Sequence, residues 1–238
     1  LAFVTSAYSS YSGCRQYLED IEQARLEVGS GAPQVDKLRA FFNHPAFVEA
    51  MVDRVRTALR QIPQDRHLST QLVYTAHSIP DAMARGCDYA VQLVEVCQLV
   101  TQKAGASASM LVYQSRSGPA SQAWLEPDVC DHLRTIHAAG RYTDVVLVPI
   151  GFLSDHLEIL FDLDTEARQL CEELGLGMVR ANTVGTHPVF IGMIRELVQE
   201  RIAGGERRSL GSLVPCHDVC PDDCCPSGRT IRPRQSKE

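Results

Sequence analysis

The sequence predicts an open α/β fold, a Rossmann-like parallel sheet with helices on both faces. Two observations carry this. Short apolar runs rich in β-branched residues alternate with segments of ten or more residues at helical period. Prolines also stand where the runs give way to helices, at Pro80, Pro127 and Pro188. A hydrophobic content of 45% and a charged content of 22% over 238 residues match an ordinary globular chain, long enough for one large domain.

Residues 1–8 read as a strand, and Gly13 to Val28 as a helix. Gly29-Ser30-Gly31-Ala32-Pro33 breaks the pattern; it is no dinucleotide fingerprint, because Gln34 occupies the third glycine's place. From Asp36 to Gln61 apolar residues recur at helical spacing. Pro45 is expected to divide this stretch into a short helix and a longer one, with His44 as a cap. A βα rhythm follows: strand Gln71–Ala76 and helix Pro80–Lys103, strand Ser109–Tyr113 and helix Pro127–Ala139. Strand Asp144–Ile150 then leads into helix Ser154–Leu174, and strand Met178–Asn182 into helix Pro188–Ile202. Gly204–Gly211 reads as a polar linker to a Cys-rich tail with a basic end at Arg229, Arg232 and Arg234.

The expected division is 1–62, the end of a first Rossmann-like domain with connecting helices; 63–187, a second such domain; 188–212, a helix and linker; and 213–238, the tail. The chain starts inside an apolar run, Leu1-Ala2-Phe3-Val4, without an initiator methionine. We therefore expect a C-terminal piece of a longer protein, with most of the first domain missing.

A net charge of −6 and a pI near 5.8 argue against nucleic acid as a partner. No apolar run approaches the roughly 20 residues that span a bilayer, so a cytoplasmic protein without a transmembrane segment is expected. Cys87, Cys97, Cys130 and Cys171 are isolated in apolar stretches and read as small buried hydrophobes. Cys216, Cys220, Cys224 and Cys225 fall so close together that metal binding is favoured over disulfides.

His77 stands at the carboxyl end of the first βα strand, where open α/β sheets bind ligands. Glu158, Asp162 and Glu166 are spaced by four on one helix face. Such a row is commonly a solvated stripe. Here Leu157, Ile159, Leu160, Phe161 and Leu163 crowd it, and it starts at the His77 end of the sheet. An imidazole facing a carboxylate exchanges protons or holds a metal ion, and the carboxylates behind it pass cations or protons. Trp124 offers a flat apolar face if it lines the cleft rather than the core. The hydroxyls of Tyr8-Ser9-Ser10-Tyr11-Ser12, before a helix, suit anionic groups. Ser78 is no hydrolase nucleophile, for no Gly-x-Ser-x-Gly elbow surrounds it.

Together these residues resemble ferrochelatase, the enzyme that inserts Fe²⁺ into a porphyrin. The resemblance is carried by Thr75-Ala76-His77-Ser78-Ile79-Pro80 and by Tyr113-Gln114-Ser115-Arg116 with Gly118-Pro119 and Trp124-Leu125. Pro149-Ile150-Gly151-Phe152, continuing through Ser154-Asp155-His156-Leu157-Glu158 to Asp162, completes it. It implies a chelatase-like fold and a catalytic pair, His77 and Glu158, that also meets the Fe²⁺ substrate. It further implies an acidic relay at Asp162 and Glu166, and a macrocycle pocket drawing on Tyr11, Ser78, Tyr113, Arg116 and Trp124. The tail resembles the [2Fe–2S] site of some family members, including actinobacterial ones, with Cys14 as the upstream ligand. Four of Cys14, Cys216, Cys220, Cys224 and Cys225 would then be ligands, and structural zinc is the alternative. The resemblance leans to coproporphyrin III over protoporphyrin IX as substrate, with transient contact to neighbouring haem-pathway enzymes. A non-catalytic tetrapyrrole or iron–sulfur binding protein, or a cobalt- or nickel-inserting chelatase, is the rival reading.

Overall fold

In the computed structural model, which describes residues 1–119 and 121–228, four parallel strands form one sheet in the order β2-β1-β3-β4. They are β1 (Thr70–His77), β2 (Ser109–Gln114), β3 (Asp144–Val148) and β4 (Gly177–Arg180). The central strands β1 and β3 are covered on both faces, which is why they read as unbroken apolar runs. His77 pairs with Gln114, and Tyr74 with Val148, so the carboxyl ends of β1, β2 and β3 open on one edge. The basic end of the tail, with Arg229, Arg232 and Arg234, lies outside the described residues.

The helices are α1 (Gln16–Val28), α2 (Pro45–Leu59), α3 (Asp81–Ala84), α4 (Tyr89–Ala104), α5 (Val129–Ala139), α6 (Leu157–Phe161), α7 (Arg168–Leu174) and α8 (Pro188–Ala203). Side chains alternate across a strand, so β1 feeds two cores. Leu72 and Tyr74 pack with Phe47 and Met51 of α2, Leu93 of α4 and Phe190 of α8. Val73, between them, packs with Leu133 of α5 and with Ile159 and Leu163 on the other face. No described helix is long and apolar enough to cross a membrane.

The departures from expectation have local causes. Residues 1–8 do not form a strand. A single rung joins Ala2 to Lys37; Ala7 and Tyr8 are buried by packing instead, and Phe3 stacks on Phe41 at 5.3 Å. The expected short helix before Pro45 is also absent. Leu38, Ala40, Phe41, Phe42 and Asn43 are all buried, which no single helix face allows, and proline disfavours a helical His44. His44 does cap α2, its Nδ1 accepting from the Ala46 N–H at 3.2 Å.

The helix expected over 80–103 breaks into α3 and α4 around Gly86. Ser154 does not cap the third crossover helix. That helix begins at Leu157 with His156 as N-cap, and it passes through a π-helical turn, Asp162–Ala167. Nor does 204–211 hang free. Leu210 N–H donates to Asn43 O at 2.9 Å, while Arg39 grips Glu200 at 2.7 and 3.1 Å and donates to Arg208 O at 3.0 Å.

Candidate active site

β1 delivers His77 to a cleft of about 600 Å³ that it shares with Ser78, Tyr89, Trp124, Gly151 and the hydroxyls of Ser6, Ser10 and Ser12. Its Nδ1 lies 2.6 Å from the Ser78 carbonyl. A carbonyl only accepts, so Nδ1 carries a hydrogen, and in the neutral ring Nε2 is the acceptor. The Tyr89 hydroxyl donates to His77 O at 3.0 Å, tying the strand end to α4. Burial raises the Tyr89 hydroxyl far above the usual tyrosine range, with smaller contributions from Tyr113, Cys87 and Glu158. Glu158 is thus within electrostatic reach of the residue that braces His77.

Glycine makes this convergence sterically possible. Gly151 N–H donates to Thr75 O at 3.0 Å, and a Cβ there would stand 2.7 Å from Ala76 Cα. The chain leaving β3 therefore crosses the end of β1 at backbone contact; Glu158, seven residues on, does not line the His77 cleft. Tyr8 supports the crossing by donating to Ile150 O at 3.0 Å. The loop holding Trp124 is stitched to the residues after His77: Leu125 N–H donates to Ile79 O and Asp81 N–H to Ala123 O, each at 3.0 Å. Among the described residues, the buried Trp124 Nε1–H has no hydrogen-bond partner.

The carboxylates meet at Ser115. Its hydroxyl contacts Glu158 Oε1 at 2.6 Å and Asp162 Oδ2 more closely still, and Gln114 Nε2 donates to Asp162 Oδ2 at 2.9 Å. Ser115 has a φ of +59°, a left-handed conformation that non-glycine residues adopt where surrounding structure imposes it. Asp162 and Glu166 line a second hollow of about 610 Å³ with Glu173, Asp128 and Arg134. Arg180, on β4, pins this helix by bonding Asp164 at 2.7 Å and Asp155 at 2.9 Å.

Of the expected pocket residues, Ser78 and Trp124 line the cleft, Ser78 Oγ donating to Leu125 O at 2.8 Å. Tyr113 and Arg116 line a smaller cavity of about 160 Å³, and Arg116 pairs with Glu126 at 3.6 Å. The Tyr11 hydroxyl donates to Glu19 at 2.8 Å on the surface. Sequence reasoning gave no role to Ser115, Tyr89 or Ser6, whereas Ser10 and Ser12 were among the hydroxyls it singled out. The signals for Ser115 were its place one residue past a strand end and within the Tyr113-Gln114-Ser115-Arg116 motif.

The cysteines converge as well. Cys14, buried in the π-helical turn Tyr11–Arg15, accepts from the Cys220 thiol; that bond and Lys37 hold it down at about 6 against the opposing pull of burial. Cys224 Sγ lies 3.6 Å from Cys225 Sγ and 3.7 Å from His217 Nε2. The ligand atoms of His217, Cys220 and Cys224 all fall within 4.8 Å of one another. Cys216 stands 3.5 Å from Ser9 Oγ and accepts from Gln92 Nε2 at 3.7 Å. Cys97 and Cys171 belong to the two cores, but Cys87 faces Cys224 and Cys225. Cys14 with Cys220, and Cys224 with Cys225 or His217, make two close pairs. That is the arrangement a two-iron cluster asks for, and four soft donors also suit zinc. His217 is a donor that cysteine spacing alone did not reveal.

A family model described as Ferrochelatase matches residues 1–202. A protein of Rhodopirellula baltica named ferrochelatase is 56% identical over 226 residues, covering 94% of this chain and 64% of that protein. A coproporphyrin III ferrochelatase of Streptomyces griseus is 46% identical over 246 residues, covering 94% of this chain and 65% of that protein. The chain thus spans about two thirds of the length of these relatives. A solved multi-domain protein of Deinococcus radiodurans, described as structurally similar to chelatases, has a TM-score of 0.46 and 15% identity over 71% of this chain and 32% of its own.

Proposed function

The chain belongs to the ferrochelatase family, and on that premise we propose that it inserts Fe²⁺ into a porphyrin, releasing the two pyrrole protons. The observation that carries this is the imidazole of His77, which engages the Ser78 carbonyl through Nδ1 and lines a cleft walled by Trp124. A neutral imidazole there takes a pyrrole proton or ligates the incoming iron. Trp124 offers the macrocycle its flat face. Glu158, Ser115 and Asp162 form a hydrogen-bonded line that ends in the second hollow, where Glu166 extends it. Along it, protons leave or hydrated iron arrives, the carboxylates replacing water ligands one at a time.

Coproporphyrin III is the proposed substrate. Several relatives carry that name, and hydroxyls of Ser6, Ser10 and Ser12 in the cleft wall suit a carboxylate-rich macrocycle. For the cysteine site we propose a [2Fe–2S] cluster held by four of Cys14, Cys216, Cys220, Cys224, Cys225 and His217. When bound, it supplies a rigid cross-link between the tail and the turn before α1, and a one-electron centre. The proposed location is the cytoplasm.

The test mixes the chain anaerobically with Fe²⁺ and coproporphyrin III and follows the visible bands. Collapse of the four free-base bands to the metalloporphyrin pattern is expected, slowed by about 10²–10⁴-fold in His77→Ala. Binding without collapse would point to a carrier, and unchanged rates in His77→Ala would overturn the assignment. Competition with Co²⁺ and Ni²⁺ separates the metal preferences.

A further inference from the structure

The tail does not stop acting at its last cysteine. Ser227 and Gly228 line the same cleft as His77 and Trp124. Two glycines make their seat. Gly228, at a φ of +65°, lies so close to α3 that a Cβ would stand 2.8 Å from Met83 N and 2.9 Å from Ala82 C. Gly86, just past α3, has room for no Cβ either, because Pro226 Cγ would lie 2.8 Å away. The residues Pro226–Gly228 are therefore wedged against the turn from Pro80 to Gly86. That turn continues directly from His77 and Ser78, and through Ile79 and Asp81 it is hydrogen-bonded to the Trp124 loop.

At its other end the wedge joins Cys225, which is 4% exposed and holds a φ of +53°. A left-handed cysteine persists where its surroundings impose the conformation. Those surroundings are the thiols of Cys224, Cys14 and Cys87. Upstream, the tail is anchored without any cysteine: Glu95 accepts from the Leu213 N–H at 3.1 Å, and Asn43 Nδ2 donates to Leu213 O at 2.8 Å. Emptying the cysteine site would thus loosen residues 214–228, leaving them to contacts such as Arg15 Nη1 to Pro221 O at 3.2 Å, while the domain stays folded. The far end of the wedge, Gly228, is three residues past Cys225. At about 3.3–3.6 Å per residue, a shift at Cys225 has little slack to absorb it.

We propose that Ser227 and Gly228 form one wall of the porphyrin site, and that ligation of the tail cysteines sets porphyrin affinity by holding that wall in place. This rests on the reading that the cleft binds a porphyrin. Coupling between two sites is reciprocal, so bound porphyrin must in turn retain the metal of the cysteine site.

The chain carries its own reporter, because Trp124 is its only tryptophan and lines the cleft. Coproporphyrin III is titrated against Trp124 fluorescence in the metal-loaded chain, in the chelator-stripped chain, in Gly228→Val and in a truncation after Cys225. Circular dichroism and metal content show that both variants stay folded and loaded. Affinity is expected to fall about tenfold in all three altered forms, with Cys130→Ser unchanged, and coproporphyrin III is expected to slow metal extraction from the loaded chain. Equal affinity in all forms, with extraction unaffected by porphyrin, would overturn this inference alone. Absence of quenching even in the loaded chain would overturn it together with the reading of the cleft.

Discussion

Ser115 offers the sharpest test of the proton and metal route. In Ser115→Ala the hydroxyl that joins Glu158 and Asp162 is lost. A hydrogen bond to a charged group contributes about 1.5–3 kcal/mol, and the transition state for metal delivery leans on it. With tenfold in rate for each 1.36 kcal/mol, kcat/KM for Fe²⁺ should drop by about 10- to 150-fold. Porphyrin affinity, read by Trp124 quenching, should stay put, because Ser115 does not line the Trp124 cleft. Ser115→Gly separates hydroxyl from backbone. Glycine adopts the φ of +59° freely, so this variant should be about 1 kcal/mol more stable than Ser115→Ala and just as slow. Anaerobic stopped-flow absorbance at fixed porphyrin and varied Fe²⁺ gives the rate. Wild-type kcat/KM in Ser115→Gly would show that the hydroxyl carries nothing, and the relay reading would fall.

Other expectations concern the scaffold and the cysteine site. Burial first, then Arg39 and Arg208, depress His44 from 6.5 to about 4. The unfolded chain therefore binds the extra proton between these values, and the stabilisation present above pH 6.5 should fade by about 3 kcal/mol as pH drops toward 4. Urea melts across that range should show this slope and show it flattened in His44→Ala; parallel slopes would refute it. Gly151→Ala should cost about 1–3 kcal/mol through its clash with Ala76, a fall of several degrees in Tm, with metallation lost before folding. In Cys14→Ser, metal content should drop sharply while Cys216→Ser and His217→Ala reveal which other donors matter. A colourless protein with stoichiometric zinc would overturn the cluster.

The α/β architecture was legible because burying a parallel strand on both faces requires apolar runs such as Leu72–Ala76 and Val145–Val148. No such constraint marked the extended stretch from Leu38 to Asn43. Its helix-like spacing reflects burial in two directions, against the segment after Ala2 and against α2 and α8, and only packing reveals that. The π-helical turn was invisible for a related reason. Its sequence, Asp162–Ala167, is unremarkable as helix.

The sequence by itself determined the alternation of strands and helices, the strand-end place of His77, and the pooling of thiols in the tail. Each is a local pattern, governed by side-chain period and composition. Tertiary structure alone decided that Ser115 joins Glu158 to Asp162, that Cys14 meets Cys220, that His217 joins the thiols, and that Gly228 closes on Met83. All but the His217 contact link residues 43 to more than 200 positions apart, and no local propensity encodes them. They follow from a sheet that brings three strand ends to one edge and from glycines that let backbones touch.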